Sequence, residues 1–314
     1  MTVEIIEKTF TCSGSPGLTL SNIRGSVNIQ PAQNGQITVI ASKNVKSGDA
    51  ENTRIELSQS ADGSVKASTH YDKSGIRFLS TWRPCKVDYD VRVPEDCSLK
   101  IRGVSNSAII EGIFGIMDLS TVSGDLDCRS LSGEFKVKTV SGDVCGESMS
   151  GRVQFETVSG DIRLKGCDFP WLKGKTVSGD ILIETPLGDG PYNFDAVSGD
   201  IKLEIPPSTG VTIHSTSLSG DIRTSSQIST SNHSWNNRKV EVQGGGVEIH
   251  HHSVSGDLFL INAKENGTSI VPQEDNLDQK SSLTRSEILD RIATGELDTE
   301  EALRLFGERA QPSR

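Results

Sequence analysis

The chain has 314 residues, of which 34% are hydrophobic and 5% aromatic, and it contains 31 glycines. This length suits one large domain with a small appendage. The formal net charge is −10 and lysine and arginine form no cluster, which argues against binding to nucleic acid and against simple attraction to anionic lipid.

The first residues have neither the basic segment nor the apolar core of a signal peptide. No apolar run approaches the roughly 18 residues that a membrane span needs. The six cysteines show no CxxC pair and no zinc-type spacing. We therefore expect a cytoplasmic protein with reduced cysteines and no transmembrane segment, whose association with the membrane or cell envelope is at most indirect.

Residues 1–105 contain short segments of strand character between turn residues, and the clearest of them spans 87–93. The first coil of a repetitive β-structure exposes an edge that invites pairing with other chains. We therefore predict that this β-rich region starts and caps the structure that follows it.

Residues 106–262 repeat an aliphatic residue followed by Ser-Gly-Asp seven times, at intervals of 18, 18, 19, 20, 21 and 36 residues. Degenerate copies at 131–134 and 149–152 lie nine residues after a full copy. Self-similarity of this kind is the signature of a solenoid. The serines of the full copies are Ser123, Ser141, Ser159, Ser178, Ser198, Ser219 and Ser255.

Aliphatic residues stand before each Ser and after each Asp, and we predict that both columns are buried. Beyond the Asp, apolar and unrestricted positions alternate as in a half-buried strand. Ser-Gly-Asp is turn chemistry, in which Gly tolerates a positive φ. We predict an all-β fold, a flattened parallel β-solenoid with two corners per coil.

Later coils are longer, with loops predicted at 166–175, 186–192, 206–210 and 225–238. Glycines 244–246 are predicted to replace a corner within the longest interval. Trp171 and Trp235 fall in these loops, where packing against the solenoid is favoured over a binding role.

The corner aspartates would form a row with neighbours about 5 Å apart. We favour the interpretation that each Asp accepts hydrogen bonds from its own corner, and a row of Ca²⁺ ions is the alternative. The acids are spread evenly along the stack, so we predict a non-catalytic protein, with a carbohydrate- or metal-binding solenoid as the alternative. The row is Asp125, Asp143, Asp161, Asp180, Asp200, Asp221 and Asp257.

Two other features of the repeats could form sites. The threonines two positions before the serines are predicted to form an outward ladder. His250 and His252 share a strand face that could suit a metal, but no third ligand lies at a suitable spacing, so an exposed polar strand is favoured. No cofactor or metal site is predicted. The threonines are Thr121, Thr139, Thr157 and Thr176.

The C-terminal part differs in kind, since residues 263–282 are polar and predict a flexible linker. Residues 283–310 predict a helical hairpin that opens with a capping box at 284–287. A hairpin of this size is not stable alone, so its apolar stripe predicts a surface for self-association or for docking to a protein partner. The stripe is Ile288, Leu289, Ile292, Leu303 and Phe306.

The Thr-Val-Ser-Gly-Asp-Ile repeats resemble the bacterial putative-adhesin family of unknown function, the β-helical domain of YvlB- and LiaX-type proteins. The segment 87–96 resembles the stretch that precedes the repeats in that family. The segment 287–302 is similar to the short SHOCT-like module, which we expect at the N-terminus of those proteins and which here is C-terminal. The resemblance implies a non-catalytic role in the envelope or in stress response, including sensing of membrane-active peptides, and no catalytic residues.

Overall fold

The computed structural model describes residues 2–12, 16–33, 35–72, 83–234 and 237–263. These residues form twenty-three β-strands and one 3₁₀ turn, Val45–Ser47, with no α-helix among them. Nothing helical in this part of the chain has the length and apolarity that a membrane crossing requires. Residues Met1–Lys264 make one compact unit and Glu265–Arg314 a second. The predicted hairpin and, apart from residue 263, the predicted linker lie outside the described residues.

The strands in chain order are β1 Val3–Thr11, β2 Gly17–Pro31, β3 Gln36–Asn44, β4 Thr53–Gln59, β5 Val65–Tyr71, β6 Lys86–Val93, β7 Ser98–Glu111, β8 Phe114–Thr121, β9 Leu126–Arg129, β10 Ser132–Thr139, β11 Val144–Glu147 and β12 Ser150–Thr157. They continue as β13 Ile162–Lys165, β14 Asp168–Thr176, β15 Ile181–Glu184, β16 Tyr192–Ala196, β17 Ile201–Ile205, β18 Val211–Ser217, β19 Ile222–Thr224, β20 Ile228–Ser234, β21 Asn237–Val242, β22 Val247–Ser253 and β23 Leu258–Asn262.

Two faces of parallel strands, here called face A and face B, stack the chain into coils. On face A, the strands β8, β10, β12, β14 and β16 pair in parallel, each with the next. On face B, β9, β11, β13, β15 and β17 do the same. Each Ser-Gly-Asp corner joins a face-A strand to the face-B strand that follows it. The predicted parallel solenoid with two corners per coil is confirmed.

The core lies between the two faces and is built by alternating side chains. Val153 and Phe155 of β12 and Ile162 and Leu164 of β13 are buried, whereas Gln154 and Arg163, which alternate with them, are not. The aliphatic residue after each Asp is buried in every coil except the last of face B, where Ile222 is half-buried. The prediction for this column is therefore confirmed in all other coils.

Parallel stacking already begins upstream of residue 106, where the first repeat was predicted. Strand β2 pairs in parallel with β5, β6 and β7. The antiparallel strands β3 and β1 then border β6, and β4 borders β5. These first coils lack the Ser-Gly-Asp motif, because their corner uses other polar groups, such as Asn22, whose Nδ2 donates to the carbonyl of Val87 at 2.8 Å. The boundary at 105 thus separates two kinds of corner.

The last repeat does not lie at the end of the stack. Strand β22 lies between β16 and β18 on face A, and β23 lies between β17 and β19 on face B. The coil at 211–224 therefore leaves one place empty, and the coil at 247–262 returns to fill it. The return path includes the antiparallel hairpin of β20 and β21, which borders β18.

This return explains the interval of 36 residues, and the observed strands correct three predictions. Glycines 244–246 connect β21 to β22 across the start of β18 and do not replace a corner. The predicted loop at 225–238 contains all of β20 and the start of β21, and the one at 166–175 is mostly β14. Strand propensity alone could not reveal β20 and β21, because their sequences are mostly polar and β21 also pairs with β18, about 30 residues earlier in the chain.

Candidate interaction surface at the Ser-Gly-Asp corner

Each of the best-formed corners begins with a buried threonine that closes the turn. Thr139 Oγ1 accepts a hydrogen bond from Gly142 N at 3.0 Å and donates one to Gly142 O at 2.8 Å. Thr157 and Thr176 bond the glycines of their own corners in the same way. The prediction of an outward threonine ladder is wrong: the hydroxyl turns inward because buried backbone groups must be bonded.

The corner residue must be glycine because a Cβ at this position would clash with the neighbouring coil, not because the backbone needs a positive φ. A Cβ on Gly160 would lie 2.0 Å from the carbonyl oxygen of Gly142, and one on Gly179 would lie 2.1 Å from that of Gly160. None of the seven corner glycines has a positive φ, so the role predicted for them is wrong. Neighbouring coils approach this closely only because no side chain stands between them.

Each corner aspartate bonds to the next coil of the stack. Asp161 N donates to Asp143 Oδ1 at 2.9 Å, and Asp180 N donates to Asp161 Oδ1 at 3.0 Å. The same bond joins the other neighbours of the row. The aspartates are acceptors of amide hydrogen bonds as predicted, but the bond links two coils and does not cap the residue's own corner.

Arginines neutralise part of the row. Arg163 lies 2.6 Å from Asp161 and 3.5 Å from Asp143, and Arg223 and Arg238 pair with the last two members. No group of three or more His, Cys, Asp or Glu side chains in the described part of the chain is placed to hold a metal ion. Three carboxylates form no ion pair with any described residue: Asp125, Asp180 and Asp200.

The aliphatic residue before each corner serine is exposed, so the prediction that this column is buried is wrong. The strands of face A alternate up to the buried threonine, and the next side chain therefore points outward. The exposed fraction of these side chains is 39–69%. In stacking order they form what we call the valine ladder: Val104, Val122, Val140, Val158, Val177, Val197, Val254 and Leu218.

The serines bond the backbone of the valine ladder. Ser141 N donates to the carbonyl oxygen of Val122 at 2.9 Å, and Ser141 Oγ lies 3.2 Å from the same oxygen. Serine amides of the other coils bond the preceding ladder residue in the same manner. The carbonyl groups of the ladder are thus hydrogen-bonded to the neighbouring coil, and the aliphatic side chains are exposed to solvent.

A shallow groove flanks the corner on each face. On face A, a groove of about 450 Å³ runs beside Val140 and Val158 and is also lined by Thr139 and Thr157. On face B, a smaller groove of about 300 Å³ lies between the aspartate row and the side chain of Leu182. The valine ladder is therefore a ridge between two depressions.

The histidine strand is divided between two environments. His250 and His252 are on the outer side, as predicted, and the ring of His250 stacks on His214 with centroids 5.2 Å apart. His251 is buried, with its Nδ1 3.0 Å from Ser215 Oγ and its Nε2 without a partner among the described residues. Burial, with a contribution from nearby His252, lowers the pKa of His251 to about 4.

Trp171 lies in β14 rather than in the predicted loop, and the Arg152 guanidinium stands 5.2 Å from the centroid of its ring. This contact agrees with packing along the outer face. Trp235 lies outside the described residues. The predicted partner-binding stripe also lies outside them: Ile288, Leu289, Ile292, Leu303 and Phe306.

No curated protein matches the chain. Solved structures that resemble it include a putative adhesin from Bacteroides fragilis, with 13% identity, a TM-score of 0.42, and coverage of 83% of this chain and 97% of that one. A putative lipid binding protein from Parabacteroides distasonis shows 13% identity, a TM-score of 0.35 and the same coverage. A putative cell adhesion protein from Clostridium sporogenes shows 10% identity, a TM-score of 0.28, and coverage of 83% and 100%.

One family model matches the chain, and its span agrees with the parallel stack. The match covers residues 17–261, from the first residue of β2 to the penultimate residue of β23. It therefore takes in strands β2 to β23 and leaves out the antiparallel border strand β1. The chain belongs to the Toastrack DUF4097 family.

Proposed function

We propose that this chain is a non-catalytic interaction scaffold with an adhesin-like or envelope-stress role. The observation that carries the proposal is the valine ladder, a continuous row of aliphatic side chains exposed to solvent. Contiguous apolar patches on soluble domains commonly mark sites of interaction. The proposal includes the cytoplasmic location predicted above, with indirect contact to the cell envelope.

The corner holds the valine ladder in a fixed position before any partner arrives. Buried threonines close the corner just before four of the ladder residues, and the aspartate row joins the corners that follow Val122 and the later ladder residues. A surface that is ordered in advance loses little conformational entropy on binding. A rigid row of small aliphatic side chains is therefore suited to a partner with a regular apolar surface.

The predicted C-terminal hairpin is the second part of the proposal, as an arm for self-association or for docking. Its apolar stripe needs a partner, and the polar linker of about 20 residues has a typical span of about 25 Å. The arm and the solenoid would then have separate tasks, one to dock and one to present a surface.

Removal of the arm tests this division. A chain ending at residue 280 is expected to keep the β-type circular dichroism spectrum and the melting temperature of the full chain. Its mass in light scattering, or its recovery of partners from the native host, is expected to fall. If the shortened solenoid instead loses stability while the full chain is monomeric and recovers no partner, the hairpin is a cap on the solenoid and the proposal fails.

A further inference from the structure

The residues two positions after the corner aspartates form one column on the outer side of face B, here called the outer column. Parallel pairing places each member beside the next. The side chain of Leu182 is shorter than those of its neighbours Arg163 and Lys202, so the column leaves the face-B groove of about 300 Å³ at this coil. In stacking order the column is Asp127, Cys145, Arg163, Leu182, Lys202, Phe259 and Arg223.

The face-B groove combines an apolar floor with an acidic side. Leu182 is half-buried at the floor, and the ring of Phe259, two coils further along the stack, lines one end. Asp180 and Asp200 are exposed along the acidic side, as successive members of the aspartate row about 5 Å apart. One oxygen of each accepts an amide hydrogen bond from the next coil at 2.9 Å, and neither carboxylate forms an ion pair with a described residue.

The two cations that line the groove are engaged elsewhere. Arg163 pairs with Asp161 and Asp143, and Lys202 pairs with Glu204 at 2.8 Å. The charges of these two cations are thus compensated by other carboxylates. The groove therefore keeps the negative charge of its two free aspartates beside an apolar surface.

The stack itself shows how carboxylates of the row are neutralised. From the outer column, Arg163 contacts two successive aspartates, at 2.6 and 3.5 Å, and Arg223 contacts Asp257 at 3.2 Å. At the groove the outer column provides Leu182 instead, so no described residue brings a guanidinium to the carboxylates there. The groove leaves room for one at this place.

A guanidinium from another molecule suits this place better than an ammonium group. Two like charges about 5 Å apart repel each other, and a cation beside both relieves the repulsion. A guanidinium is planar with five N–H donors and can contact two carboxylates at once, whereas the lysine ammonium is a compact point charge. The methylene groups of an arginine side chain can lie on Leu182 while its charged end reaches the aspartates.

We infer that the face-B groove binds an arginine side chain of a protein partner, whose guanidinium bridges Asp180 and Asp200. The inference rests on the proposed function and names the chemistry by which the scaffold recognises its partner. The groove is shallow, so a single arginine is expected to bind weakly and in a salt-dependent manner. A stable complex therefore needs further contacts around the groove.

The first test is a titration of the isotope-labelled full chain with a capped tripeptide that contains one central arginine, followed by NMR. The amide signals of Leu182, Asp200 and Lys202 should shift and saturate. The control tripeptide contains citrulline, which has nearly the same shape as arginine without the charge, and should give no saturable shift. Equal binding of the two peptides, or no saturable shift with the arginine peptide, overturns the inference.

Charge is tested in the groove itself. Asp180→Asn and Asp200→Asn should each weaken binding of the arginine peptide about fivefold, as expected for one exposed ion pair, while the amide oxygen retains the hydrogen bond between coils. Asp125→Asn is the matched control, because Asp125 has the same amide hydrogen bond and no ion pair but lies outside the groove. An equal loss in the control would show general attraction to an acidic chain and would overturn the inference.

Occupation of the groove is tested by Leu182→Arg, which gives this coil the residue that Arg163 provides one coil earlier. The variant should lose binding of the arginine peptide, while its melting temperature stays the same or rises because the free carboxylates gain a partner. Binding retained by a folded Leu182→Arg chain overturns the inference. A contrary result in any of these tests leaves the proposed function in place, because neither the valine ladder nor the truncation at residue 280 involves this groove.

Discussion

The backbone amide of Asp200 donates to Oδ1 of Asp180 at 2.9 Å, and the two residues lie 20 positions apart in the chain, in successive coils. The aspartate row therefore adds a side-chain hydrogen bond to the backbone ladder at every step. Because the accepting oxygen of each aspartate points toward the next coil, the main effect of the row is to hold successive coils together.

Replacement of Asp180 by Ala should destabilise the solenoid by about 1 kcal/mol, since one hydrogen bond between coils is lost. The Asp180→Asn variant should be milder, because its amide oxygen can still accept from Asp200 N. Urea unfolding followed by circular dichroism measures both. Equal losses in the two variants would show that the charge matters rather than the bond.

Millimolar Ca²⁺ should leave the melting temperature of the full chain unchanged, because backbone amides already occupy one oxygen of six corner aspartates. A ligand that binds only the folded state raises its stability by mass action. A rise of several degrees with Ca²⁺ but not with Mg²⁺ would contradict this account and support an ion row.

Val158 and Ile162 stand on the two sides of one corner and should respond in opposite ways to the same change. Ile162→Asp buries an unpaired charge in the core and should cost more than about 4 kcal/mol, enough to unfold neighbouring coils. Val158→Asp places the charge in solvent and should cost less than about 1 kcal/mol. Comparable losses of melting temperature would refute the orientation of the valine ladder.

Gly160→Ala should be strongly destabilising, because its Cβ would lie 2.0 Å from the carbonyl oxygen of Gly142 and the coils would have to separate. Gly17→Ala is the control, since the nearest atom to its Cβ, on Ser64, lies at 3.6 Å and its φ is not positive. The melting temperatures of the two variants, measured by thermal unfolding, test this difference. A Gly160→Ala protein that melts like the control would mean that the stack has room for a side chain.

Acid should weaken the coils around His251, and the sign follows from its pKa. The folded pKa of about 4 lies below the unfolded value of about 6.5, so the unfolded chain binds the proton more readily. Stability from the neutral ring is full above about pH 6.5 and is lost as the pH falls toward 4. Between about pH 7 and pH 5 the loss should be about 2 kcal/mol.

The control for this pH effect is His251→Leu, which removes the titrating ring and retains an apolar side chain at the site. The free energy of unfolding of this variant should vary less between the two pH values than that of the unaltered chain. Identical pH dependence in the two proteins would assign the acid sensitivity to other groups.

The solenoid could be predicted from the sequence because stacking imposes its own period on the chain, and seven corners repeat that period. The orientation of Val158 was predictable in principle. On face A, Phe155 and Thr157 point inward, so alternation of side chains places Val158 on the outside. Counting back from buried Ile162 does not give this result, because the tight corner interrupts the alternation. The orientation of Val158 was predicted wrongly because Thr157, a polar residue, was expected to face solvent.

The order of the last coils could not be predicted in the same way. The corner at Val254 has the same motif as those at Val197 and Leu218, so local sequence does not distinguish its possible neighbours. The order depends on the path of residues 225–246, whose hairpin borders β18 and returns the chain across the start of that strand. Contacts between residues far apart in the chain set that path.

The place of β22 and β23 inside the stack has a consequence for synthesis on the ribosome. When the coil at 211–224 emerges, the open edges of β16 and β17 have no final neighbour yet, and this coil carries the same corner motif. Premature pairing there competes with the native order and must be undone before the last coil can enter. Until residue 262 has been made, the nascent chain exposes strand edges, so maturation of this fold is governed by its C-terminal coil rather than by its first.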